Sequence, residues 1–142
     1  MSDNFYISMD KSRLDVLFIH DYLSNNSYWA KGRSVELVKK SIENSLCFGV
    51  FTKEDKQIGF ARIATDYVVF AWLMDAFIVE DYKGIGLGKY LVETIVNHPE
   101  LKNVNGIGLR TNDAHGLYKK FGFDEISNPE TWMLRKRLIN KN

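Results

Sequence analysis

The stretch Tyr82-Lys83-Gly84-Ile85-Gly86-Leu87-Gly88-Lys89 constrains this chain more than any other. Apolar and β-branched residues (Phe77, Ile78, Val79) precede it, and apolar residues at helical spacing (Leu87, Tyr90, Leu91, Ile95) follow it. Strand, glycine-rich turn and helix, in that order, aim several backbone N–H groups and the positive end of a helix dipole at one point. Glycines at alternating positions let that backbone approach a ligand with no Cβ in the way. A phosphate or pyrophosphate suits such a turn.

Spacing removes the two commonest phosphate loops. A nucleoside-triphosphate loop needs Gly five residues before Gly88 and a hydroxyl after Lys89, and those positions hold Lys83 and Tyr90. A dinucleotide loop needs a small residue at 89 or 91, and those are Lys89 and Leu91.

A second mark lies downstream: Ala114-His115-Gly116-Leu117-Tyr118-Lys119-Lys120-Phe121-Gly122-Phe123. With Ile78-x-x-x-Tyr82-Lys83-Gly84-x-Gly86-x-Gly88, it resembles the GNAT N-acetyltransferase superfamily. That family's coenzyme loop reads Gln/Arg-x-x-Gly-x-Gly/Ala, and its later segment reads A-x-x-L-Y-x-x-x-G-F. Order and spacing both agree over roughly residues 70 to 125. Lys83 stands where the family has Arg or Gln; it keeps a positive charge and loses the planar fork.

Composition sets wider bounds. At 142 residues the chain reads as a single domain over 1–142, long enough to bury an ordinary core. A net charge of +1 gives no electrostatic reason to expect nucleic acid or a membrane surface. Cys47 has no second cysteine to pair with, and residues 1–8 lack the basic start and long apolar run of a secretory signal. A reducing, cytoplasmic setting is therefore expected. The longest apolar run, Val68 to Met74, is too short to span a bilayer. No Cys/His/Asp cluster has zinc spacing, so no metal is expected.

Periodicity predicts strands at 5–9, 46–51, 57–64, 68–79, 104–109, 123–126 and 132–138, with a frayed tail from Leu138. Helices are predicted from Asp10-Lys11-Ser12-x-x-Asp15 to Leu23, from Ser34 through Ile42, from the glycine turn to Asn97, and over 114–121. Asn112 or Asp113 would cap the last helix, and Gly122 suits the left-handed position after it. Periodicity alone leaves α/β and α+β open. The resemblance narrows this to a mixed, mostly antiparallel sheet of about seven strands, flanked by about four helices and splayed at its middle strands.

The resemblance also implies a site. In the family, the strand before the loop bulges and parts from its neighbour, and the pantetheine arm of acetyl-coenzyme A pairs with the freed backbone. By position, that backbone is Ala76, Phe77 and Ile78. The amides of Lys83, Gly84, Ile85, Gly86, Leu87, Gly88 and Lys89 would hold the pyrophosphate. Many members have Asn seven residues before the Tyr; here it is Thr111, with Asn112 beside it. Tyr118 is the acid that meets the coenzyme sulfur. The loop between the first two helices covers the acceptor, which points to Tyr28, Trp29 and Arg33. A homodimer is a family-level expectation.

The implied chemistry is attack of a neutral amine on a thioester, with no covalent enzyme intermediate. An amine of pKa about 10.4 is roughly three units from its reactive form at pH 7, about 4 kcal/mol. The leaving thiol, near pKa 8.5, is a smaller obstacle. A base for the amine therefore matters more than an acid for the sulfur. Some relatives carry Glu on the central strand at the position of Met74, which cannot act. Asp75, the one ionisable residue within 68–79, is the candidate base, and water relayed from the backbone competes with it. The reading is an acetyl-coenzyme A-dependent N-acetyltransferase acting on a primary amine of a small molecule or peptide. The alternative is a non-catalytic acyl-coenzyme A sensor. The acceptor's identity is not legible in the sequence.

Overall fold

The computed structural model describes residues 3–137. Its elements are β1 (Phe5–Ser8), α1 (Val16–Asn26), α2 (Val35–Glu43), β2 (Leu46–Thr52) and β3 (Gln57–Thr65), then β4 (Phe70–Ile78), α3 (Leu87–Val96), β5 (Gly106–Gly108) and α4 (His115–Lys119). One sheet runs in the order β1-β2-β3-β4-β5. The first four strands are antiparallel neighbours, and β5 lies parallel to β4. A parallel pair needs a long crossover, and α3 supplies it. The architecture is mixed and mostly antiparallel, with four α-helices among the described residues. No helix among the described residues is long and apolar enough to cross a membrane.

Local chemistry accounts for most element ends. The Asp15 and Ser34 side chains accept from Phe18 N–H and Leu37 N–H, capping α1 and α2. Asp10 caps a separate 3-10 turn at Lys11–Arg13, so the predicted single helix splits in two. Gly122 takes φ +89°, as a left-handed terminator should. The start of α4 differs from expectation: Ala114, and neither Asn112 nor Asp113, is the N-cap residue, with no side-chain cap bond, and its own N–H donates to Thr111 Oγ1 at 3.0 Å.

Strand 68–79 begins later than its composition implies. Asp66 Oδ1 accepts from the N–H groups of Val68, Val69 and Phe70, which folds the two valines into the turn and leaves them exposed. Among the described residues the sheet has five strands where the resemblance implied about seven. Residues 123–126 and 132–137 form no ladder, and Leu138 with the tail lies outside the described residues. Two local causes explain this. Asn128 sits at φ +57° before Pro129, which breaks the run. The neighbouring edge strand β5 also offers only Gly106–Gly108, too short a template for a further strand.

Apolar residues fill both faces of the sheet. Phe48, Val50, Ile58 and Ile63 meet Leu87, Leu91 and Ile95 of α3 on one side, while Phe60 and Phe77 meet Ile19, Leu23 and Val38 of α1 and α2 on the other. Each such fully buried side chain is worth about 1.5–3 kcal/mol.

Two irregularities of β4 position everything that follows. Phe60 pairs with Phe77 and Arg62 pairs with Met74, so β4 spends one more residue than β3 over the same span. That residue is taken up at Asp75, whose φ is +55°. Pairing of β4 with β5 also stops early, at Trp72 opposite Gly108. Past that point the rest of β4 has no strand on its outer side, and Leu109–Asp113 leads away toward α4.

Candidate active site

The parting of β4 from β5 opens a cleft with two chambers. One, of about 400 Å³, is lined by Ala76, Phe77 and Ile78 of β4, by Gly84, Gly86, Leu87 and Gly88 of the turn, and by Leu117 and Tyr118 of α4. The other, of about 460 Å³, is lined by Trp29, Arg33, Arg62, Trp72, Asp75 and Arg110 among others. Tyr28, Trp29, Ala76, Asp113, Ala114 and Tyr118 border both.

The turn has the expected shape, with two refinements. Gly84 and Gly86 take φ of +84° and +90°, and a Cβ at either would meet nothing within 4 Å, so both face open space. Gly88 instead lies inside α3 with an ordinary φ, and a Cβ there would only touch Leu117 at 3.6 Å. The first helical bond of α3 is Tyr90 N–H to Gly86 O, which leaves the amides of Leu87, Gly88 and Lys89 pointing out of the helix end. Lys83 differs: its N–H donates to Glu80 O at 3.1 Å, and its ammonium lies 3.4 Å from the Glu80 carboxylate. Ile85 and Lys89 are exposed at the rim. A pyrophosphate fits this geometry, since two glycines clear its path and a helix start faces it.

Asp75 anchors the second chamber. Its side chain is only 2% exposed. Oδ2 accepts from Arg33 Nη1 and from Arg62 Nε, both at 2.6 Å, and Oδ1 accepts from Trp29 Nε1 at 2.9 Å. Arg62 Nη1 also donates to Ser45 Oγ at 3.1 Å. The carboxylate thus ties the loop before α2 to β3 and β4. Bond formation in a left-handed position suits Asp, whose short polar side chain tolerates it better than most.

Tyr118 lies buried where the chambers meet. Burial, followed by the nearby Tyr28 and Asp113, pushes its phenol above the usual range, which keeps the hydroxyl protonated. Over the opening, Tyr28 Oη accepts from Asn112 N–H at 3.0 Å, so the loop before α2 is latched to the loop before α4. Thr111 turns inward on its own loop, accepting from Asp113 and Ala114 N–H.

The geometry therefore brings Tyr118, Asp75, Ala76, Phe77, Ile78, Tyr28, Trp29, Arg33, Thr111 and Asn112 to one cleft, with the glycine turn at its end. Neither Arg62 nor Trp72 is among the site residues named from the sequence. Arg62 carried a usable signal, as a charged residue in the middle of an otherwise apolar strand. Trp72 carried none beyond being aromatic. His20 and His98 lie outside both chambers, and His115 is exposed on the first turn of α4. Among the described residues, no group of three or more His, Cys, Asp or Glu side chains could hold a metal ion.

Comparison with known proteins converges on one family. The model of the acetyltransferase (GNAT) domain matches residues 44–125, more than half of the chain. The uncharacterized N-acetyltransferase ycf52 of Pyropia yezoensis is 30% identical over 89% of this chain and 73% of its own. The peptidyl-lysine N-acetyltransferase YjaB of Salmonella typhimurium is 36% identical over 73% of this chain and 66% of its own. A crystal structure of a protein assigned to the GNAT family, from Xanthomonas campestris pv. campestris, superposes with a TM-score of 0.92 at 38% identity, covering 96% of both chains. With motif, cleft and relatives in agreement, the chain belongs to the GNAT family and is an acyltransferase.

Proposed function

We propose that this enzyme moves an acetyl group from acetyl-coenzyme A directly to a primary amine of a small molecule or peptide. One observation carries the reading: β4 loses its neighbour after Trp72, with the open glycine turn at one end of the gap and Tyr118 within it. Along Ala76, Phe77 and Ile78 the backbone groups that face away from β3, those of Ala76 and Ile78, are available to an extended arm, as to an added strand. The amides from Gly84 to Lys89 hold the diphosphate, while Lys83 contributes through its side chain. The bound thioester supplies the electrophile.

Tyr118 donates its hydroxyl proton to the sulfur as the carbon–sulfur bond breaks and the carbon–nitrogen bond forms. Its raised pKa keeps that proton in place across the range where amines become neutral. Asp75 takes a different part from the one its strand position first implied. With two guanidiniums and an indole already on its oxygens, it serves as the anchor that orients Arg33, Arg62 and Trp29. The amine's proton leaves to water through the open chamber.

Mixing the protein with acetyl-coenzyme A, a panel of amines and a thiol reagent tests this. The expected result is amine-dependent thiol release that falls ten- to a thousand-fold in Tyr118→Phe, with coenzyme affinity nearly unchanged. Thermal stabilisation by the coenzyme with no thiol release from any amine would instead favour a non-catalytic acyl-coenzyme A sensor.

A further inference from the structure

The chamber beyond Tyr118 has a charge of its own, and that charge narrows the acceptor. Arg33 and Arg62 share the single carboxylate of Asp75, two positive charges against one negative. Arg110 and Asp113, both exposed on the far wall, cancel each other, so the chamber as a whole keeps the surplus of one positive charge. Tyr28 and Tyr118 also lie on its walls, and burial keeps the Tyr118 phenol protonated.

Among the described residues neither guanidinium is used up: Arg33 donates through Nη1, and Arg62 through Nε and Nη1, which leaves part of each fork for a ligand. Their side chains are 22% and 12% exposed, so they meet a ligand in partly desolvated surroundings, where a charged hydrogen bond counts for more. The Trp29 and Trp72 side chains line the same space and offer flat apolar surface.

Resting on the acetyl-transfer reading above, we infer that the acceptor is an anionic amine. It carries a carboxylate or phosphate that docks on Arg33 and Arg62, and an apolar or aromatic body that lies against Trp29 and Trp72. A bare lysine side chain, wholly cationic, meets a wall of its own sign and is selected against.

Matched pairs test this: phenylalanine against phenethylamine, O-phosphoethanolamine against ethanolamine, and a lysine-containing peptide alongside. Thiol release should give the acid-bearing member of at least one pair a kcat/KM tenfold or more above its partner without the acid, and the pair with the larger ratio identifies carboxylate or phosphate. Arg33→Met should bring that ratio down to about threefold or less, while Arg33→Lys keeps part of it. Equal rates within both pairs, or preference for the peptide, would overturn the inference.

A binding measurement separates this from failure of the acetyl-transfer reading. Phenylacetate, phenylphosphonate and phenethylamine are titrated into the acetyl-coenzyme A-loaded protein, and tryptophan fluorescence is followed. Saturable binding of an anion, weakened at least tenfold in Arg33→Met, supports the inference even if no amine is acetylated. No saturable binding by either anion, or tighter binding of phenethylamine, overturns it even if other amines are acetylated.

Discussion

Asp75 occupies a backbone conformation that most side chains avoid, in the middle of strand β4. Three donors hold it there, and the two guanidiniums would repel each other without it. Removing one partner of a buried ion pair costs about 3–5 kcal/mol. Asp75→Ala should therefore lower the unfolding free energy by about that much in a urea titration. Asp75→Asn, closer in shape, should lose less. If Asp75 is an anchor, Asp75→Asn lowers kcat/KM while the pH profile keeps its shape; loss of a limb would mark it as the base. Burial likewise sets the chemistry of Cys47, whose thiol is pushed up to about 11. Because this folded value lies above that of a free thiol, the stabilisation is full below about pH 8.5 and fades as pH climbs toward 11. A thiol reagent at pH 8 should thus find no reactive cysteine in the native protein and one after denaturation. The places of Gly84, Gly86 and Tyr118 along the cleft were legible as residue types at fixed spacing. The partners of Asp75 were not, because Arg33, Arg62 and Trp29 come from distant parts of the chain and no local pattern links them.

The glycine turn is an element whose parts separate by experiment. Gly86→Ala places a side chain at φ +90°, with about 1 kcal/mol of strain, and its Cβ projects into the open space facing the helix start. It should weaken acetyl-coenzyme A binding at least tenfold by calorimetry. Gly88→Ala, inside α3 with room beside Leu117, should raise stability by about 0.5–1 kcal/mol and leave coenzyme affinity within about threefold. Equal effects at the two positions would show that the turn does not work through its left-handed residues. Elements with strong local codes were legible, such as α2 with its Ser34 cap and apolar spacing, and α3 behind its turn. Those that depend on a partner were not. Residues 123–126 and 132–137 have strand-like composition, yet Asn128 and Pro129 interrupt them and β5 is too short to receive them.

At the scale of the molecule, the fold is a sheet made to part. A left-handed Asp75 bulges β4, β5 stays paired only from Phe70 to Trp72, and the latch between Tyr28 and Asn112 spans what remains. The sequence carried the order of elements as far as α4, and the resemblance carried the splay. The line where pairing ends comes from the register of Trp72 with Gly108, which needs three dimensions. Amide hydrogen exchange with and without acetyl-coenzyme A tests the central claim most directly. Strong added protection at Ala76, Ile78 and Gly84–Lys89, with little at β1 and β2, is the predicted result. Saturating coenzyme that leaves those amides unprotected, or protects a different face, would contradict it.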